Sequence, residues 1–288
     1  MIGKILSEKI RDYSPANALE QENILQEILQ GYILVSLSRS GFFKRAVFHG
    51  GTCLRILYGM NRFSEDLDFI LKKPDMKFRW KEYITAIEKD CETEGIKFEC
   101  QDKSELDIPV KKAFLKTDSI GKILQLILPF KRRDMRKVRI KLEIDCNPPA
   151  GSSFETRYID FPNIAPITTM TPESGFASKS HALLCRDFIK GRDWYDYWWY
   201  VSKKTAINYK LLQNALFQIG PWSGEKIGIT PQWYRDAISA KIEKIDWKIA
   251  REDVRRFLPL QEQENLEHWN RDFFLSLVDR MTEYLEEL

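Results

Sequence analysis

Two short stretches constrain this chain more than anything else in it. Val47-Phe48 reads as a brief apolar strand, His49-Gly50-Gly51 breaks it, and Thr52 to Tyr58 resumes a helical period. Soon afterwards Asp66-Leu67-Asp68-Phe69-Ile70-Leu71 begins with the polar–apolar alternation of a half-buried strand. Residues i and i+2 of a strand share a face, so Asp66 and Asp68 stand side by side while Leu67 and Phe69 point towards a core. Two adjacent carboxylates repel each other and call for a cation. Mg²⁺ suits them, because it takes hard oxygen ligands and needs only one or two protein carboxylates when substrate phosphates supply the rest. Alone, an Asp-x-Asp pair is more often two acids on a solvated edge strand. The Gly50-Gly51-Thr52 segment shifts that balance. Glycine lets the backbone approach a ligand closely, a helix amino terminus offers N–H groups to an anion, and Thr52 adds a hydroxyl. A phosphate cradle followed by paired acids has the two parts that a metal–triphosphate substrate needs.

A third acid is available in Val138 to Cys146. Ile140, Leu142 and Ile144 share one face of this expected strand, and Arg139, Lys141, Glu143 and Asp145 share the other. Placed beside the first strand, Asp145 would complete a triad, ligating a second metal or accepting the proton of an attacking hydroxyl. The plain alternative is a polar residue closing a strand before Asn147-Pro148.

The segment from Asn147 to Pro172 holds prolines at 148, 149, 162, 166 and 172 together with Ala150-Gly151-Ser152-Ser153. Such a density disfavours helix and central strand alike. It divides the chain into an α/β domain over 1–150, a crossing segment over 151–170, and a helical domain over 171–288. Before it, Ala18 to Ser38 has the spacing of an amphipathic helix. After it, Thr171-Pro172-Glu173 is a helix start with threonine at the N-cap. That helix is expected to run to about Ile189 and to be ended by Gly191. Further helices are expected near 194–203, 209–217, 231–238, 251–257 and 264–287.

Lys179 and Arg186 lie two turns apart on the first of these helices and face one side, with the small Ala182 between them. The pair suits triphosphate oxygens, lysine as a point charge and arginine as a fork; an ordinary solvated basic face is the alternative. Asp193 is placed as the N-cap of the next helix with Asp196 near N3. Lys131 to Lys141 gathers seven cations around the single acid Asp134, a pattern that fits phosphate contacts with RNA or a solvated hairpin. Most of the rings of Trp194, Tyr195, Trp198, Trp199 and Tyr200 are expected in the core. His49, His181 and His268 form no cluster, so no histidine metal site is expected.

The 45 Lys+Arg and 42 Asp+Glu leave a formal charge of +3, which by itself assigns no partner. Apolar runs such as Gly31 to Leu37 are far shorter than the ~20 residues of a bilayer span, and Met1-Ile2-Gly3-Lys4 lacks the h-region of a secretory signal. Five scattered cysteines with no C-x-x-C pair argue against a disulfide framework or a zinc ribbon. The expectation is a cytoplasmic protein with no membrane partner.

The pattern Gly-Gly-Thr-x-Leu-Arg at 50–55, then Arg-Phe-Ser-Glu-Asp-Leu-Asp-Phe at 62–69, resembles the AbiEii/AbiGii toxin family of the DNA polymerase β-like nucleotidyltransferase superfamily. Lys179, Arg186 and Arg192-Asp193-Trp194-Tyr195-Asp196 fit the same family, which carries a helix lysine followed by an Arg-Asp-x-x-Asp element. The resemblance covers roughly 48–197, with a helical tail containing 253–258. It implies an α/β nucleotidyltransferase fold, a mixed sheet with helices, followed by a helical carboxy-terminal domain. It also implies a toxin of a bacterial toxin–antitoxin or phage-defence (abortive infection) system, commonly encoded with an antitoxin, and relatives that transfer nucleotides to the 3′ end of tRNA.

On that basis Asp66, Asp68 and Asp145 are the expected metal ligands, with one or two Mg²⁺. Gly50, Gly51, Thr52, Ser64, Lys179 and Arg186 are expected to bind the NTP, and Lys179 and Asp193 to join the acids in catalysis. A phosphotransferase acting on a protein or small molecule, and a non-catalytic partner-binding protein on the same fold, are the alternatives.

Overall fold

The computed structural model of the protein describes residues 2–104, 108–117 and 138–286. The chain divides into two compact units, one of residues 1–148 and 155–169, the other of residues 149–154 and 170–288.

Among the described residues the first unit is built on a seven-stranded sheet. In chain order its strands are β1 (Ala46–His49), β2 (Asp66–Leu71), β3 (Glu99–Asp102), β4 (Val110–Thr117), β5 (Val138–Asp145), β6 (Phe154–Ile159) and β7 (Ala165–Met170). They lie in the order β3-β4-β5-β2-β1-β7-β6. β2 is central, antiparallel to β1 and parallel to β5, while β7 runs parallel to β1. Around the sheet stand α1 (Ile2–Tyr13), α2 (Ala18–Arg39), α3 (Gly50–Tyr58) and α4 (Lys81–Thr93).

Local chemistry explains these elements. Asn17 caps α2 by accepting the Glu20 N–H at 2.9 Å, and residues 28–37 of that helix are buried on every side. The apolar members of the β2 alternation go where the pattern sends them: Leu67 and Phe69 are buried among Phe42, Phe48, Phe78 and Trp80. Phe42 meets Phe69 edge-on at 4.9 Å and stacks on Trp80 at 5.5 Å. Each such ring contributes roughly 1.5–3 kcal/mol of burial, which fixes the facing of β2 and so of its two aspartates.

The proline-rich segment differs from its expected form. It carries β6 and β7, and β7 pairs with β1 at Phe48–Thr169. Pro166 is exposed on β7, and a strand tolerates proline where no ladder hydrogen bond is lost.

The second unit is helical. It holds α5 (Pro172–Cys185), α6 (Gly191–Ser202), α7 (Tyr209–Gln218), α8 (Pro231–Ile242), α9 (Trp247–Arg255), a 3₁₀ stretch (Leu260–His268) and α10 (Arg271–Glu286). Thr171 caps α5, as its Thr-Pro-Glu start foretells. The helix stops at Cys185, short of Ile189, because Arg186 turns to an extended conformation. Gly191 begins α6 and ends nothing. A Cβ there would come 1.8 Å from the Ala250 carbonyl oxygen, so glycine serves the close approach of α6 to α9. Trp194, Tyr195, Trp199 and Tyr200 are buried, and Trp247 stacks on Phe274 at 4.2 Å. Among the described residues no helix is long and apolar enough to cross a membrane.

Candidate active site

The paired acids begin the central strand. Asp66 and Asp68 are half-buried on the face of β2 opposite Leu67 and Phe69. His49, the last residue of β1, is the register partner of Asp68, so the chain that turns into α3 leaves the sheet beside the second aspartate. Gly50 makes that turn at φ +79°, a left-handed conformation that favours glycine. A Cβ on Gly50 would lie 2.7 Å from the Asp68 Oδ2. The carboxylate is therefore pressed against bare backbone at the amino terminus of α3, where first-turn N–H groups are available to an anion.

Gly51 serves a second close approach. Its Cβ would fall 2.2 Å from Nη2 of Arg62, which is 2 % exposed and donates to the Phe63 carbonyl at 3.0 Å. Thr52 is fully buried and its hydroxyl donates to the Asp66 carbonyl. It ties α3 to the start of β2 and does not reach outwards as the expected phosphate donor. Ser64 is half-buried two residues before Asp66.

The register separates Asp145, the expected third acid, from the pair. In the parallel β2–β5 ladder Asp66 is opposite Lys141, Asp68 is opposite Glu143, and Asp145 is opposite Ile70. Asp145 thus stands two register steps beyond Asp68, about 7 Å along the strand. Its Oδ1 accepts the Asn147 N–H at 2.8 Å, and burial pushes its carboxyl above the usual range while that bond pulls it down. Glu143 takes the place beside Asp68. Sequence alternation puts both acids on one face, and only the register separates them.

Glu143 is salt-bridged to Lys141 at 2.7 Å and to Lys112 at 3.2 Å, and Lys141 also lies 3.8 Å from Asp66. Burial works to raise Glu143, but the two lysines outweigh it and hold the carboxyl below its ordinary value. Burial likewise works to lower Lys141, and the bond to Glu143 with the charges of Asp66, Glu143 and Asp68 turns the net shift upwards. A depressed acid contributes stability above its unfolded value that is lost as pH falls through the folded one. A raised lysine contributes stability below its unfolded value that is lost as pH rises through the folded one. Both contributions are complete between about pH 4.5 and pH 10.5. Lys141→Met is therefore expected to lower stability across that window and to raise the Glu143 midpoint, with the stability gap to wild type narrowing below pH 4.5. Urea melts at several pH values with carboxyl NMR titration read both; an unmoved Glu143 midpoint would contradict the assignment.

The donor set fits a hard divalent cation. Asp66 and Asp68 offer carboxylate oxygens on one face, and among the described residues no group of three or more His, Cys, Asp or Glu is disposed to hold a metal. Two carboxylates suit an ion that completes its shell with phosphate oxygens and water.

In the helical unit Lys179 of α5 reaches two acids of α6. Its Nζ is 2.6 Å from Asp193 Oδ1 and 2.8 Å from Asp196 Oδ2, and Arg186 hydrogen-bonds Asp193 Oδ2. Arg186 lies just past the end of α5 and not on its face as expected, and both cations meet at Asp193. Lys190 is the N-cap of α6, so Asp193 sits at N3 and Asp196 one turn on. Their side chains are 3 % and 0 % exposed, which makes them internal partners of Lys179 where an N-cap and an N3 acid were expected. His181 bonds the Ile219 carbonyl oxygen through Nε2 at 3.0 Å, and burial lowers its pKa. Residues 131–137 of the basic run lie outside the described residues. Farther along it, Arg139 covers the Phe114 ring at 4.1 Å and Lys141 is the ion-paired lysine above.

Residues 32–276 match the model of the family described as nucleotidyl transferase AbiEii toxin, type IV TA system. The structure is similar to that of JHP933 from Helicobacter pylori, with TM-score 0.50, 18% identity, and coverage of 92% of this chain and 94% of that one. It is also similar to MenT4, a nucleotidyltransferase toxin from Mycobacterium tuberculosis H37Rv, with TM-score 0.50, 15% identity, and coverage of 95% and 98%. At these identities the two structures speak for a shared fold. No curated protein matches the sequence.

Proposed function

We propose, from the premise that this chain belongs to the AbiEii nucleotidyl transferase toxin family, that it transfers a nucleoside monophosphate from Mg²⁺–NTP to the 3′ end of tRNA. Membership makes it a nucleotidyltransferase of a type IV toxin–antitoxin system, with an NTP substrate and a cognate antitoxin. The Mg²⁺, the tRNA acceptor and a cytoplasmic site of action are the finer steps of our reading.

One observation carries it: the carboxylate of Asp68 lies against Gly50 at the start of α3, with Asp66 two residues away on the same strand face. Acids and anion-binding backbone at one place suit a triphosphate that arrives with a cation. Asp66 and Asp68 are the residues that would hold the ion. When bound, a divalent cation neutralises phosphate charge and makes the attacking 3′ hydroxyl more acidic. The backbone of Gly50 and Gly51 receives phosphate oxygens, and Thr52 keeps α3 on the strand that bears the acids. Ser64 lies on the same approach. Within the helical unit Asp193 holds both Lys179 and Arg186, and Asp196 holds Lys179; a nucleotide-binding role for the two cations rests on the family resemblance. The reaction is in-line attack on the α-phosphorus with pyrophosphate leaving.

The acceptor is tested by inducing the protein in a bacterium and sequencing tRNA 3′ ends. Added nucleotides beyond the mature terminus are expected. Growth arrest with unchanged tRNA ends would remove tRNA from the proposal.

A further inference from the structure

Residues 59–65, which lead into Asp66, form neither helix nor strand. A buried segment of that kind must still satisfy its carbonyls. Here side chains satisfy them. Arg55 Nη1 donates to Asn61 O at 2.6 Å, and Arg62 donates to Phe63 O at 3.0 Å. The last two carbonyls before the acid, of Ser64 and Glu65, accept from side chains of α2. Gln30 Nε2 donates to Ser64 O at 3.0 Å and to Glu65 O at 2.9 Å, and Gln26 Nε2 donates to Glu65 O at 3.0 Å.

Gln26 and Gln30 are one helical turn apart and face the same side. Gln30 is 1 % exposed inside an otherwise apolar stretch, where an amide without partners is unfavourable. The peptide unit is planar, so pinning the Glu65 carbonyl also pins the Asp66 N–H and the direction of the Asp66 Cα. Asp66 is the first residue of β2, held on its carbonyl side by the Thr52 hydroxyl and by its ladder place opposite Lys141, and the glutamines hold the peptide on its amino side.

We infer that Gln30, supported by Gln26, is a positioning residue for the metal-binding pair, holding Asp66 in line with Asp68 without touching substrate or ion. The inference rests on the reading of Asp66 and Asp68 as the cation's ligands. Displacing a reacting group by about 1 Å can reduce rate a hundredfold, so a backbone clamp one residue away is expected to act on binding of the ion and on turnover.

The test replaces Gln30 with methionine, which keeps the length and removes the donor. Mn²⁺ binding is followed directly from the EPR signal of the free ion, beside kcat, acceptor KM and the melting temperature. A core truncation away from the loop, Val35→Ala, serves as a destabilised control. Gln30→Met is expected to weaken Mn²⁺ binding about tenfold and to lower kcat by roughly tenfold to a hundredfold. Acceptor KM stays put, and Val35→Ala keeps wild-type Mn²⁺ affinity. Should Gln30→Met fail to fold, Gln26→Met carries the test with a smaller shift in the same direction. Mn²⁺ affinity within twofold of wild type in the folded glutamine variant, or an equal loss in Val35→Ala, overturns the positioning role. A wild-type protein that binds no Mn²⁺ overturns the metal-binding pair itself, and the inference with it.

Discussion

Asp68→Ala is expected to abolish nucleotidyl transfer while leaving the protein folded. Loss of a ligand forfeits several kcal/mol of charge stabilisation in the transition state, and each 1.4 kcal/mol is a factor of ten, so kcat should fall about a thousandfold or more. Stability should barely change. Asp68 is half-buried between the like charge of Asp66 and the attraction of Lys141, and its removal relieves the one while it forfeits the other. Asp66→Ala is expected to match the loss of rate with a slightly larger fall in stability, because Lys141 then loses one of the two carboxylates within ion-pair distance. Melting temperature and single-turnover transfer measured on the same preparations separate the two effects. Retained transfer in either variant would sink the assignment of these acids.

Lys179→Met is expected to reduce stability on a scale that few single changes reach. The lysine is 14 % exposed and its ammonium faces two carboxylates that are 3 % and 0 % exposed. Removing one member of a buried ion pair typically costs about 3–5 kcal/mol, because the remaining charges stay in a poorly solvated place. Urea unfolding should show that loss, and Lys179→Arg, which keeps the charge, should recover a good part of it. An inactive Lys179→Met protein reports first on the integrity of α5 and α6, and only a variant shown to be folded speaks to a role at the phosphates. Wild-type stability in Lys179→Met would contradict the buried network.

What the sequence could reveal depended on whether the deciding physics was local. The span of β2 is legible to the residue, since its opening alternation of acid and apolar side chain is a property of one strand and a core. The Thr171-Pro172-Glu173 start of α5 is legible for the same reason: cap, fixed φ and first-turn acid act within a few residues. The misread features are those that another part of the chain decides. Gly191 carries the signature of a helix stop, yet its reason is the Ala250 carbonyl packed on its Cα. Asp145 and Glu143 are equivalent by alternation, and only the β2–β5 register sets Glu143 beside Asp68. Asp193 and Asp196 look like acids at a helix start, and it is the arrival of Lys179 from α5 that draws them inside. Gln30 gave no signal, because a lone glutamine in an apolar helix is distinctive only once the Ser64 and Glu65 carbonyls are seen against it.

The central claim is that the acids at 66 and 68 serve transfer of a nucleotidyl group. Incubating the protein and tRNA with NTP labelled at either the α- or the γ-phosphate tests it most directly. Nucleotidyl transfer retains the α-phosphate in the RNA and releases the γ-phosphate with pyrophosphate. Label is expected in RNA from the α-labelled substrate alone, and none with Asp68→Ala. Label carried from the γ-position, or equal labelling by the Asp68→Ala protein, would contradict it.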